Sequence, residues 1–307
     1  AFDSIKSLEE RKLEALQAQK FVGRIVDTKI SDDFKIPIEL KPGFRWEIIS
    51  QLGDGRFGPV FEALNITSEE VVCVKRIEAR KAQREFTEAF IQECRQVIKI
   101  DHPYLCKYYG IEGRLEDVYL ITEFCSGRSL ESYLLLGPIT DRALLRKYSF
   151  EVLQGLAFLH DQGLVHRDIQ PKNVMLDCSG VVKLKNIGRR QIVQSSSMTS
   201  DRVSTVGHPY YMAPEVIIGG KYSAKSDIYT FCCTFLHLST GRRPWIEEKN
   251  DWSVVFKCGT LGQVPQVPET IKTKICPEFY ELLVSGLKKN PDDRPTAIDM
   301  LGSPFFK

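Results

Sequence analysis

Strand texture, broken by one helical stretch, runs from Phe44 to Phe124, and from Ser129 the pattern is mostly helical. Trp46–Ile49, Val60–Leu64 and Val71–Lys75 are rich in β-branched and aromatic residues and are parted by glycine or polar turns, which reads as three strands. Two more strands are expected near Cys106–Gly110 and Val118–Phe124. Between these groups, over about residues 84–99, Phe86, Phe90, Cys94 and Val97 recur on one face of a helix. Further helices are expected over about 130–136, 141–162, 226–240, 252–258, 277–288 and 296–301. Strands first and helices afterwards exclude an alternating βα sheet. They predict an α+β, bilobal chain: a small β-rich N-lobe over 46–124 and a larger helical C-lobe over 127–307.

Residues 1–45 stand apart as an N-terminal helical extension and linker. Ser7-Leu8-Glu9-Glu10 fits a capping box, and Phe2, Ile5, Leu8, Leu13 and Leu16 form an imperfect apolar stripe. Docking on the body of the domain is the simpler use for such a helix, a partner helix the sharper one. Asp32-Asp33, Pro37 and Pro42-Gly43 predict a linker laid across a surface. A start at Ala1-Phe2-Asp3 is that expected of a fragment of a longer polypeptide. No run of about 18 apolar residues is present, so no membrane span is expected. A net charge of +2 without a basic block gives no case for nucleic acid. The cysteines number nine, an odd count with no C-x-x-C pair, and many sit in apolar runs. Free thiols in a reducing cytoplasm are expected, not disulfides or zinc.

Chemistry is concentrated in a few short stretches. Gly53-Asp54-Gly55-Arg56-Phe57-Gly58-Pro59-Val60 matches G-x-G-x-x-G-x-V. Alone, that pattern often marks an ordinary hairpin. Its other use is to let backbone N–H groups approach phosphate oxygens where no β-carbon intervenes. A dinucleotide-binding fold needs a helix after the glycines, whereas Val60–Leu64 reads as strand. Lys75 ends a strand seventeen residues beyond Gly58, and Glu93 falls on the following helix. A strand-terminal lysine is ordinarily a solvated residue, but a glutamate placed to pair with it changes that reading. Then come His166-Arg167-Asp168-Ile169-Gln170-Pro171-Lys172-Asn173, Asn186-Ile187-Gly188 and Ala213-Pro214-Glu215.

In this order and spacing the motifs resemble the protein kinase family over about residues 46–307. The resemblance implies a kinase fold that binds ATP with magnesium. It implies that Gly53, Gly55 and Gly58 cover the phosphates and that Lys75, oriented by Glu93, meets them. Val60, Cys73 and Met175 would line the adenine, Thr122 would gate the back of the pocket, and Glu123–Gly127, with Cys125, would connect the lobes. Asp168 would be the proton acceptor, and Asn173 and the residue at 186 the metal ligands. Glu215 would pair with Arg294, and Asp227 would anchor the catalytic loop. Ile169–Asn173 is of the serine/threonine type. His102-Pro103-Tyr104-Leu105, Tyr108-Tyr109-Gly110, Tyr210–Glu215, Thr240–Trp245 and Gly302–Phe306 are similar to MAP kinase kinase kinases, notably the fungal osmostress group. That implies other kinases of a signalling cascade as partners.

Four departures fall on the chemistry. Asn186 stands where the family has the magnesium-binding aspartate, and Gln170 where it has a lysine that meets the γ-phosphate. His208 replaces a threonine that bridges that lysine and the base, and Ile187 a phenylalanine. A neutral amide is a weaker ligand for a hard cation, and each missing electrostatic group costs on the order of 10²–10³ in rate. The expectation is a domain that binds ATP, with magnesium weak or dispensable, whose phosphotransfer is weak or lost and whose role is allosteric or scaffolding. A working kinase using Asp168 as base is the alternative, and a nucleotide-independent interaction module a third. Ser195, Ser196, Ser197, Thr199, Ser200, Ser204 and Thr205 offer phosphorylation sites that could pair with Arg167, or are simply a polar loop. Arg189-Arg190 reads as a solvated pair.

Overall fold

The computed structural model describes residues 44–55, 58–78, 84–114, 117–187 and 209–307. The expected N-terminal helix, most of the linker, Arg56-Phe57, Gly188, the serine-rich stretch with Arg189-Arg190, and His208 lie outside them. Backbone contacts divide the chain into two compact units, one running to Cys94 and resuming over Tyr108–Phe124, the other comprising Arg95–Lys107 and Cys125–Lys307.

The first unit is built on an antiparallel sheet of five strands: β1 (Trp46–Gly55), β2 (Gly58–Asn65), β3 (Glu70–Glu78), β4 (Tyr108–Arg114) and β5 (Asp117–Glu123). Their order across the sheet is β1-β2-β3-β5-β4. Alternation does the sorting. Val72, Val74 and Ile121 are fully buried, and they join Trp46, Ala63 and Tyr119 in one cluster. The indole of Trp46 packs on Tyr119 with ring centres 5.4 Å apart and donates to Glu112 at 2.7 Å, so its polar edge is satisfied. Helix α1 (Arg84–Val97) follows β3 and buries Phe90, Cys94 and Val97, as its apolar spacing requires.

β4 begins two residues later than the expected strand at Cys106, for a physical reason. Leu105 bridges in parallel to Leu184, and the Cys106 N–H donates to the Leu184 carbonyl at 2.9 Å. Those backbone groups are therefore spent in the second unit and cannot extend β4.

The second unit is helical around a small hairpin. Its elements are α2 (Leu130–Leu134), α3 (Arg142–Asp161), β6 (Val174–Leu176), β7 (Val182–Leu184), α4 (Pro214–Ile217), α5 (Ala224–Thr240), α6 (Asp251–Val255), α7 (Thr270–Lys274), α8 (Pro277–Gly286) and α9 (Ala297–Leu301). In α3 the Asp141 carboxylate caps the Leu144 N–H at 2.8 Å, and Leu145, Tyr148, Val152, Leu156 and Leu159 recur at helical spacing to form its buried face. Helix α5 is buried all round, which suits a central helix; Ser223 and Ser226 form a capping box at its start and Gly241 ends it at φ 68°. The expected helix over 252–258 is in fact α6 followed by a π-type turn over Phe256–Thr260. The hairpin β6–β7, α4 and α7 carried too few residues for periodicity to reveal them.

All nine cysteines are free thiols. Among the described residues no helix is long and apolar enough to cross a membrane, and no cluster of His, Cys, Asp or Glu could hold a metal ion.

Candidate active site

In the first unit the sheet register gathers the residues expected around a nucleotide. Gly53 lies opposite Val60 and Gly55 opposite Gly58, closing the turn between β1 and β2. Val60 lies opposite Lys75, and Cys73 opposite Thr122 on β5, while Glu123 lies opposite Val72. A β-carbon at Gly55 would sit 3.3 Å from Lys75 Cε and 3.5 Å from Val60 Cγ2, so the lysine stem runs beneath the glycine turn. At Gly58 φ is +148° and a β-carbon would meet the Arg76 carbonyl oxygen at 2.6 Å. Only glycine fits there. Glu93 lies on α1 in the same unit.

The second unit holds the remaining expected residues. Cys125, half-buried, opens its longer segment, and Met175 on β6 bridges to Ser129. Around Asp168 the chain folds into a dense hydrogen-bonded loop. Asp227, in the first turn of α5 and fully buried, accepts the His166 N–H at 2.7 Å and the Arg167 N–H at 2.8 Å, with His160 Nε2 3.0 Å away. About two turns further along α5, the Thr234 hydroxyl donates to the Ile169 carbonyl at 3.0 Å. A single helix thus holds successive peptides of the loop. Arg167 takes φ +71°, a strained value for a long side chain that these bonds sustain. His166 is fully buried, which lowers its pKa below the ordinary 6.5 and keeps the ring neutral, and its Nδ1 accepts the Asp168 N–H at 3.3 Å.

Both carboxylate oxygens of Asp168 are engaged by amides. The Gln170 side chain donates to Oδ1. Asn173 donates through Nδ2 to Oδ2 and to the Asp168 carbonyl, each at 2.7 Å. Asn186, at φ +64°, donates through its own Nδ2 to Asn173 Oδ1 at 2.8 Å. Lys185 N–H also donates to the Asn173 carbonyl at 3.0 Å. The structure therefore brings Asp168, Gln170, Asn173 and Asn186 into one continuous network. Ile187, next along, is buried.

This network decides whether the magnesium implied by the resemblance fits. Magnesium calls for oxygen ligands, preferably anionic, in near-octahedral array. Here the one side-chain oxygen of Asn173 faces an N–H group, and position 186 supplies an amide in place of a carboxylate. The pair does not fit the ion.

Glu215, on α4, and Arg294 form a two-pronged ion pair, with Arg294 Nη1 and Nη2 each 2.8 Å from a carboxylate oxygen. Burial works to raise the Glu215 pKa, but the hydrogen bonds and charge of Arg294 outweigh it and hold the carboxyl below its ordinary 4.5. Arg294 is itself buried and donates to three backbone carbonyls, of Lys225, Lys288 and Lys289. His160 and Thr234 were not legible as part of this site. A histidine at a helix end and a threonine seven residues after Asp227 carry no signal until the helices are placed.

Comparison with known proteins agrees with this geometry. The protein kinase domain family matches residues 46–306. The chain is similar to serine/threonine-protein kinase SSK22 of Saccharomyces cerevisiae, 32% identical over 281 residues that make up 85% of this chain and 21% of that protein. It is similar to mitogen-activated protein kinase kinase kinase 2 of Arabidopsis thaliana, 32% identical over 274 residues, 87% of this chain and 42% of that protein. It is also similar to mitogen-activated protein kinase kinase kinase 4 of Homo sapiens, 29% identical over 310 residues, 99% of this chain and 19% of that protein. The chain thus spans between about a fifth and two fifths of the length of these relatives. With a five-stranded antiparallel sheet followed by a helical unit, and the family matched over nearly all of the described residues, this chain belongs to the protein kinase family.

Proposed function

We propose that the chain is a serine/threonine kinase domain of the MAP kinase kinase kinase kind, which binds ATP and passes phosphate to another kinase of a signalling cascade. Asp168 is the base that accepts the substrate hydroxyl proton, and the observation that carries the reading is its setting. The loop bearing it is held peptide by peptide on Asp227, and its carboxylate is oriented by Asn173 at 2.7 Å. Lys75, with Glu93, meets the α- and β-phosphates beneath Gly53, Gly55 and Gly58. Val60, Cys73 and Met175 contact the adenine, with Thr122, Glu123 and Cys125 along its edge. The kinase names of the relatives favour this reading over one without phosphotransfer. The N-lobe over 46–124, the C-lobe over 127–307 and a cytoplasmic location belong to the same proposal.

A second reading is favoured by one observation, the neutral Gln170 and Asn186 where charge would steer the γ-phosphate. On it the domain binds ATP, with magnesium weak or dispensable, and acts on a partner kinase allosterically. Transfer of labelled phosphate to the domain itself and to a generic substrate separates the two. Incorporation that disappears in Asp168→Asn supports the enzyme. Incorporation no greater than that variant's leaves the allosteric role.

A further inference from the structure

We infer that Asn186 serves in this chain as a hydrogen-bond donor that ties Asn173 to the base, taking the place of a metal-bridged contact, so that nucleotide binds without help from magnesium. The inference rests on the ATP-binding reading above and deepens it.

The argument is an accounting of one buried amide. Asn173 is 1% exposed, so each of its polar atoms must find a partner within the protein. Its Nδ2 serves the Asp168 carboxylate and carbonyl, and its Oδ1 takes the Asn186 N–H at 2.8 Å. Every polar atom of the Asn173 side chain is thus engaged within the protein without an ion. A cation at Asn173 Oδ1 would confront the positive end of the Asn186 amide. To admit one, Asn186 would have to turn its amide over, give up the 2.8 Å bond and offer a neutral oxygen in return. A cation at the Asn173 oxygen therefore competes with the Asn186 N–H for it. The backbone is suited to this role, since φ +64° at Asn186 is a left-handed value that asparagine and aspartate both tolerate. Aspartate at the position would keep the fold yet lack the N–H, and would turn two oxygens toward each other with a cation needed between them.

The test is binding of labelled ATP to the domain in magnesium and in EDTA, for the wild type and Asn186→Asp, with melting temperatures recorded in the same buffers. The wild-type dissociation constants should agree within about threefold between buffers. Asn186→Asp should bind at least about tenfold tighter with magnesium than without, and its melting temperature should fall in EDTA and recover with magnesium. A tenfold magnesium preference in the wild type, or none in Asn186→Asp, overturns the inference while leaving the kinase reading in place. Failure of the wild type to bind ATP in either buffer overturns both.

Discussion

At the scale of single residues, Gln170 and Asn186 bring two neutral amides into the network around Asp168. Gln170 donates to one oxygen of Asp168 and, through Asn173, Asn186 reaches the other, so the carboxylate is held without any cation. On the proposed reading these amides orient Asp168 but bring no charge to stabilise the moving phosphoryl group. Gln170→Lys should therefore raise phosphate transfer, by about tenfold or more, in the labelled-phosphate assay. An unchanged rate would mean that charge at position 170 does not limit transfer. Gln170 and Asn186 were legible as departures in the sequence, but their linkage through Asn173 was not, because thirteen residues separate 173 from 186 and only the β6–β7 hairpin closes that gap.

At the scale of elements, the central relation is between α5 and the loop it carries. A buried carboxylate near a helix N-terminus sits in favourable potential, and Asp227 uses that position to accept two loop N–H groups. Asp227→Ala would strand those donors in the interior, at about 1–3 kcal/mol for each buried group left unpaired. The expected result is a lower urea midpoint together with faster amide exchange at His166 and Arg167, with α3 and α5 less affected. Equal exchange in variant and wild type would show that the loop holds its shape without this helix. α3 contributes from the other side, where the Glu151 carboxylate accepts the Val182 N–H of β7 at 2.8 Å and Gly155 leaves room for Leu105 and Leu184. Periodicity placed both helices, since their apolar spacing is long and regular. It could not place the hairpin, whose two strands have three residues each.

For the molecule as a whole, buried titrating groups make stability depend on acidity. His237 on α5 shares a hydrogen bond of 2.6 Å between its Nδ1 and the Tyr211 hydroxyl, and burial, followed by the charge of Arg243, lowers its pKa from 6.5 to about 4. Between those values the unfolded chain binds a proton that the folded chain does not, so stability is complete above pH 6.5 and falls as pH drops toward 4. The span corresponds to at most about 3 kcal/mol, less after allowance for solvent around the ring. His166 and His102, both lowered by burial, act with the same sign. Glu215 adds a loss at lower pH, since its carboxyl must stay ionised to hold Arg294. The melting temperature should therefore decline from pH 7 to pH 5, and His237→Asn should flatten that decline. A melting temperature constant over this range would mean that the histidines titrate in the folded chain as they do in the unfolded one.

Local chemistry sufficed for much of this protein. Glycines that leave room for backbone, alternation in strands, apolar spacing in helices and the order of the kinase motifs all act over a few residues, so they could be read from the chain itself. The family and the five-strand-then-helix architecture followed from them. Three-dimensional packing alone decided where backbone groups went at Leu105 and Cys106, which peptides Asp227 would hold, and that the Asn186 amide would close on Asn173. Those outcomes depend on hydrogen-bond partners far apart in the chain, and a buried donor or acceptor takes whichever partner folding brings within reach.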